Sequence, residues 1–184
     1  MRNLVFFLEE PSAQAMLEGL LPKVLPKNVH YHCVPFEGKQ DLEKQLERKL
    51  RVWNTPDTFF IVLRDQDSGN CQIVKSKLLE ITEKSGKSQN TLVRIACHEL
   101  ESWYLGDLQA VEQAIGPRSI AKRQGEAKYR NPDLLNNAAQ ELKKIAPNYQ
   151  KVLGSRKIGV CLEPSRNQSI SFQFFISGIM KLLQ

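Results

Sequence analysis

No apolar run in this sequence approaches the roughly 20 residues that a membrane-spanning helix requires; the densest, Leu4–Leu8 and Phe59–Leu63, soon stop. The N-terminal stretch is acidic and carries Pro11, unlike a secretory signal. A cytoplasmic location without membrane contact is the expectation. Cysteine is sparse: Cys33, Cys71, Cys97 and Cys161 lie far apart, with no C-x-x-C pair and no histidine at zinc spacing. That excludes a disulfide framework and a zinc ribbon. Cys33 and Cys97 fall in expected strands, where a thiol acts as a small apolar side chain, so all four read as structural. His98-Glu99 begins like a zinc-protease motif, but position 102 holds Ser102, so the second histidine is missing. His98 is then expected as a structural or rim residue. No internal repeat, low-complexity tract or long linker divides the 184 residues, and one domain is expected.

Negative charge is scarce in one place. Residues 117–157 carry ten Lys and Arg against three Asp and Glu, whereas residues 1–116 carry 14 against 16. The chain's net charge of +6 therefore arises in that segment. Clustered cations suit a polyanion, because neutralising phosphates releases counterions; a solvated basic surface is the alternative. Arg118, Lys122, Arg123, Lys128 and Arg130 are its candidate phosphate contacts.

Residues 1–97 alternate strand and helix. Leu4–Leu8 and Phe59–Leu63 lack polar alternation and read as strands buried on both faces. Further strands are expected near 29–35 and 92–97. Between them, Met16, Leu17, Leu20, Leu21, then Leu42, Leu46, Leu50, then Val74, Leu78, Ile81 mark helices by spacings of three and four. Ser12 is expected to cap the first. Such alternation predicts an α/β fold with a mainly parallel four-stranded sheet flanked by helices. Later elements are a helix from 108 capped by Asp107, a mobile loop over 117–132, a helix over 133–146, an irregular stretch to 168, and a last helix capped by Ser169. Trp103 and Tyr104 are expected in the core. The core of the domain is expected over 1–116, with 117–184 as a basic loop and helical extension packed on it.

Right-handed crossovers bring all parallel strand ends to one edge, where such folds bind ligands. Glu9 ends the first strand, Asp65 and Asp67 end the third, and Glu99 and Glu101 follow the fourth. Asp65 and Asp67 could instead cap the next helix. Converging carboxylates are hard oxygen ligands suited to Mg²⁺ or Mn²⁺. Such an ion over a phosphodiester neutralises charge and activates water, and an unligated acid can serve as general base. Lys39, opening a helix, is a candidate phosphate contact.

A strand ending in glutamate and a later strand end carrying Asp65-Gln66-Asp67 resemble the motif pair of the Toprim domain, found in topoisomerases, bacterial primases and overcoming-lysogenisation-defect nucleases. A closer resemblance is to the Toprim-like domain-of-unknown-function family 4276. It rests on Leu8-Glu9-Glu10-Pro11-Ser12, Phe36-Glu37-Gly38-Lys39, Asp65-Gln66-Asp67 and Ile95 to Asp107. The resemblance implies a compact Toprim-like fold, dependence on Mg²⁺ and phosphoryl chemistry on nucleic acid. It also implies an ATPase partner encoded nearby and a role in phage defence or restriction. Glu9 then matches the glutamate acting as acid, base or ligand. Asp65 and Asp67 match the metal-binding aspartates, and Glu99 and Glu101 resemble later acids. The sequence departs from the pattern at Glu10, Ala13 and His98, and strand passage is not expected, because no second domain is expected to supply its tyrosine. A metal-dependent nuclease is the leading expectation; a non-catalytic metal- or nucleotide-binding subunit of the ATPase is the alternative.

Overall fold

A computed structural model of the chain describes residues 2–184. Four strands, β1 (Asn3–Leu8), β2 (His30–Pro35), β3 (Thr58–Asp65) and β4 (Thr91–Ala96), form one all-parallel sheet in the order β2-β1-β3-β4. The helices between them are α1 (Pro11–Val24), α2 (Lys39–Val52) and α3 (Cys71–Lys84). The chain steps from β1 out to β2, then crosses back over β1 to reach β3. Right-handed connections then put α1 on one face and α2 and α3 on the other. The packing agrees. Leu4, Phe6, Leu8, Ile61 and Leu63 meet Met16, Leu17 and Leu20 on one side. Val5, Phe7, Phe60 and Val62 meet Leu42, Leu46 and Leu78 on the other. Alternate residues of β1 and β3 thus serve opposite cores, which is why these strands read as unbroken apolar runs.

The α1 face is completed by the C-terminal part of the chain. Here lie α4 (Glu101–Leu105), α5 (Leu108–Ala114), α6 (Ala127–Arg130), α7 (Ala138–Ile145), α8 (Lys151–Cys161) and α9 (Ile170–Leu182). Trp103, Tyr129, Leu142, Tyr149, Ile158, Phe172 and Phe175 share one core with β1 and α1. Asp107 caps α5 by accepting from the Ala110 amide at 3.1 Å, and Ser169 caps α9 by accepting from the Phe172 amide at 3.1 Å. Buried Asp107 also takes two bonds from the Arg166 guanidinium, at 2.7 and 2.9 Å, tying α5 to the approach to α9.

Several local expectations are corrected. Ser12 does not cap α1: Pro11 already stands in its first turn, which its fixed φ suits, and the Ser12 hydroxyl donates to Glu10 instead. Residues 117–132 are not an unanchored loop. They form a single 3-10 turn at Ala121–Gly125 and α6, pinned by buried Ile120 and Tyr129. The helix expected from 133 starts only at Ala138, after a separate turn at Pro132–Leu134. The stretch expected to be irregular contains α8, which crosses α1 closely enough that a Cβ on Gly159 would lie 2.2 Å from the Met16 carbonyl oxygen.

Candidate functional site at the carboxyl ends of the strands

The sheet reverses its direction of growth between β1 and β3, and a crevice opens there at the carboxyl ends of the strands. Glu9 and Asp65 are the first residues the two strands deliver to it. Glu9 Oε2 accepts from the Asp65 amide at 3.0 Å, so the first acid latches the end of β1 to the end of β3. Behind it, buried Arg64 reaches toward Glu9 (3.9 Å) and Glu43 (3.3 Å), and its Nε has no hydrogen-bond partner. A charge inside a strand buried on both faces was the sequence signal for Arg64.

The β3–β4 pairing runs on past the strands. The Gln66 amide donates to the Ala96 carbonyl at 2.9 Å and the Asp67 amide to the His98 carbonyl at 2.7 Å. Asp67 and His98 are both left-handed, with φ of 57°. Asp and His tolerate that region better than most side chains. The backbone therefore does not stay extended through Asp67. Neither aspartate caps α3, because the Asn70 side chain accepts from the Gln72 and Ile73 amides.

Asp65, Asp67, Glu99 and Glu101 nonetheless line one cavity of about 350 Å³, joined by Glu10, Tyr149 and the lysines Lys143 and Lys151. Glu9 lies behind this wall, in a small recess with Asp65 and Leu100. A roomier, more apolar recess of about 380 Å³ along the free edge of β4 holds none of the expected site residues.

Each acid has a partner. Asp65 Oδ2 accepts from the Leu100 amide at 3.2 Å, and Lys39 Nζ lies 3.0 Å from Asp67. Glu99 accepts from the Ala139 amide in the first turn of α7 at 2.8 Å, where a carboxylate meets the positive end of the helix dipole. Glu101 accepts from the Tyr149 hydroxyl at 2.9 Å. These bonds do not offset burial at three of the acids. Burial holds the Asp65 carboxyl well above the usual range, and repulsion from Glu9 and Glu101 adds to it. Burial also raises Glu101, against the Tyr149 hydroxyl, and Glu9, against the Asp65 amide.

A bound cation would relieve that repulsion, and the donor set is the hard-oxygen kind that Mg²⁺ or Mn²⁺ takes. As the side chains stand, no three His, Cys, Asp or Glu among the described residues are drawn together closely enough to enclose an ion.

Of the expected phosphate contacts, only Lys39 touches the acids. Arg118, Lys122, Arg123, Lys128 and Arg130 are absent from the cavity wall. Arg118, Lys122 and Arg130 are exposed, whereas Arg123 pairs with Glu126 and Lys128 with Glu141, both over the ring of Tyr129. The cations that do face the acids, Lys143 and Lys151, belong to the same basic segment but sit on α7 and α8. Trp103 and Tyr104 are fully buried, as their sequence context suggests. The cysteines are free, and burial pushes the Cys33 thiol up to about 12 and Cys97 up to about 11, which suits inert thiols.

No helix among the described residues is long and apolar enough to cross a membrane. No curated protein matches the sequence. Among solved structures, the chain is similar to the C-terminal region of the Burkholderia pseudomallei OLD protein, at 13% identity and a TM-score of 0.46, covering 96% of this chain and 98% of that one. The model of a domain of unknown function, DUF4276, matches residues 8–180, and the chain belongs to that family.

Proposed function

We propose that this chain is a metal-dependent phosphodiesterase of the Toprim type acting on nucleic acid. The observation that carries the reading is the meeting of Asp65, Asp67, Glu99 and Glu101, from separate strand ends, with Lys143 and Lys151 on one cavity. Asp65, Asp67 and Glu101 are the carboxylates that would hold Mg²⁺ or Mn²⁺, an ion that supplies charge neutralisation and an activated water when bound. Lys143 and Lys151 draw the phosphodiester to the cavity, and Lys39, released from Asp67, adds a third cation. Burial raises Glu9 from its ordinary carboxylate value, the direction that favours a general acid or base. Glu101 is oriented by the Tyr149 hydroxyl. The Toprim resemblance adds an ATPase partner and a setting in phage defence or restriction, within the cytoplasm.

A second reading has an observation of its own. The acids share the cavity without closing tightly enough to enclose an ion, and Lys39 already neutralises Asp67, which fits a non-catalytic module that binds metal or nucleotide and regulates the ATPase. Incubating supercoiled plasmid and single-stranded oligonucleotides with Mn²⁺, beside an Asp65→Ala variant, separates the two. Cleavage that vanishes with Asp65→Ala supports the enzyme; salt-sensitive binding without cleavage supports the module.

A further inference from the structure

On the far side of Asp67 and Glu99 lies a second cavity of about 490 Å³, completed by Ser68, His98 and Asn136. Its size is in the range of small-ligand sites. Three segments build it: the turn after β3, the turn after β4 and the turn before α7. The left-handed backbone at Asp67 and His98, held by the bond between them, sets two of these turns against each other.

Its polar groups differ from those of the first cavity. There the acids are engaged, Asp67 by Lys39 and Glu99 by the Ala139 amide. The Ser68 hydroxyl, the His98 imidazole and the Asn136 amide have no hydrogen-bond partner among the described residues; His98 is tied only through its backbone, its amide donating to the Gln66 side chain and its carbonyl accepting from the Asp67 amide. Three polar groups are thus free at the surface. No lysine or arginine stands on this wall, whereas Lys143 and Lys151 stand among the acids of the first cavity. The lysines assign the phosphate to the first cavity, and the unpartnered side chains suit a hydrogen-bonding ring in the second.

We propose that this cavity takes the nucleoside of the residue flanking the phosphodiester, held by Ser68, His98 and Asn136, and so gives the protein a base preference at one position. The inference rests on the nucleic-acid reading above. Asn side chains pair with base edges, and imidazoles stack on unpaired bases.

The test measures binding in EDTA, where cleavage plays no part. Fluorescence anisotropy of the full chain with labelled 12-mers of dA, dC and dT should give dissociation constants spread by about tenfold, the discrimination of one good base contact. Asn136→Ala and His98→Gly should collapse that spread to under about threefold while leaving the salt dependence of binding unchanged. Glycine suits the left-handed position, and Asn136 is exposed, so neither change threatens the fold. Equal affinity for the three oligomers, no binding at all, or a spread that survives both variants overturns the proposal. Cleavage in Mn²⁺ is scored separately: base-selective binding without Asp65-dependent cleavage removes the enzyme reading and leaves this pocket standing.

Discussion

At Asp65 two demands collide. β3 carries its carboxyl into the interior beside Glu9 and Glu101, while a ligand for a cation has to be ionised. A free aspartate titrates near 3.9, and the folded one titrates well above that. The native state therefore binds the proton more tightly than the unfolded chain. The stability that follows is complete below the unfolded value and is lost as pH rises through the folded one. In EDTA the melting temperature should accordingly fall as pH rises from 5 to 8. Asp65→Asn keeps the oxygen that accepts from Leu100 but removes the charge. It should raise the melting temperature at pH 8, by about 2–4 °C for each 1 kcal/mol regained, and change little near pH 4. Calorimetry across this range checks it, and a decline as steep in the Asn variant would locate the repulsion elsewhere. At this scale the sequence was most informative about strand-end residues. Glu9 and Asp65 follow apolar runs that can only stop at one rim. Tyr149, Lys143 and Lys151 were not legible as site residues, because only the docking of α7 and α8 brings them to the acids.

Among the elements, α8 marks where pattern reading ran out. Its sequence, Lys151 to Cys161, has two glycines and no apolar stripe, so it resembles a loop by periodicity. The glycines are what make it a helix with a partner. Gly159 and Gly19 let the backbones of α8 and α1 approach where a Cβ would collide, at 2.2 Å and 2.6 Å from the facing main chain. A close backbone crossing replaces the side-chain stripe as the source of packing. β1, β3 and α1 were legible because their burial depends on period alone. Gly159→Ala should therefore destabilise the protein by about 3 kcal/mol, at the upper end for overpacking. Gly125→Ala, with open space around it, should be neutral or stabilising by about 0.5 kcal/mol through the unfolded chain. Chemical denaturation of the two variants reads the difference directly. Equal effects would mean that α8 does not dock on α1 through its glycines.

On the scale of the whole molecule, the charge asymmetry is the feature the sequence states most plainly and resolves least. It locates the excess cations in residues 117–157, but a segment is not a surface. Folding divides them: Lys143 and Lys151 turn to the acidic cavity, Arg118, Lys122 and Arg130 stay exposed, and Arg123 and Lys128 are spent on Glu126 and Glu141. Each phosphate neutralised by a bound cation contributes about 0.9 to the slope of log affinity against log salt on duplex DNA. The slope therefore counts which groups touch the backbone. Lys143→Gln should make it shallower by about 0.9, and Lys151→Gln by less, because Lys151 already pairs with Glu10. Arg118→Gln, Lys122→Gln and Arg130→Gln should do the same if the nucleic acid runs along the whole basic segment. Arg123→Gln should leave the slope nearly unchanged, its charge being already paired. A slope altered only by the cavity lysines would confine contact to the strand ends. A slope altered by none of these changes would leave the basic segment as solvated surface and remove the electrostatic support for a nucleic-acid partner.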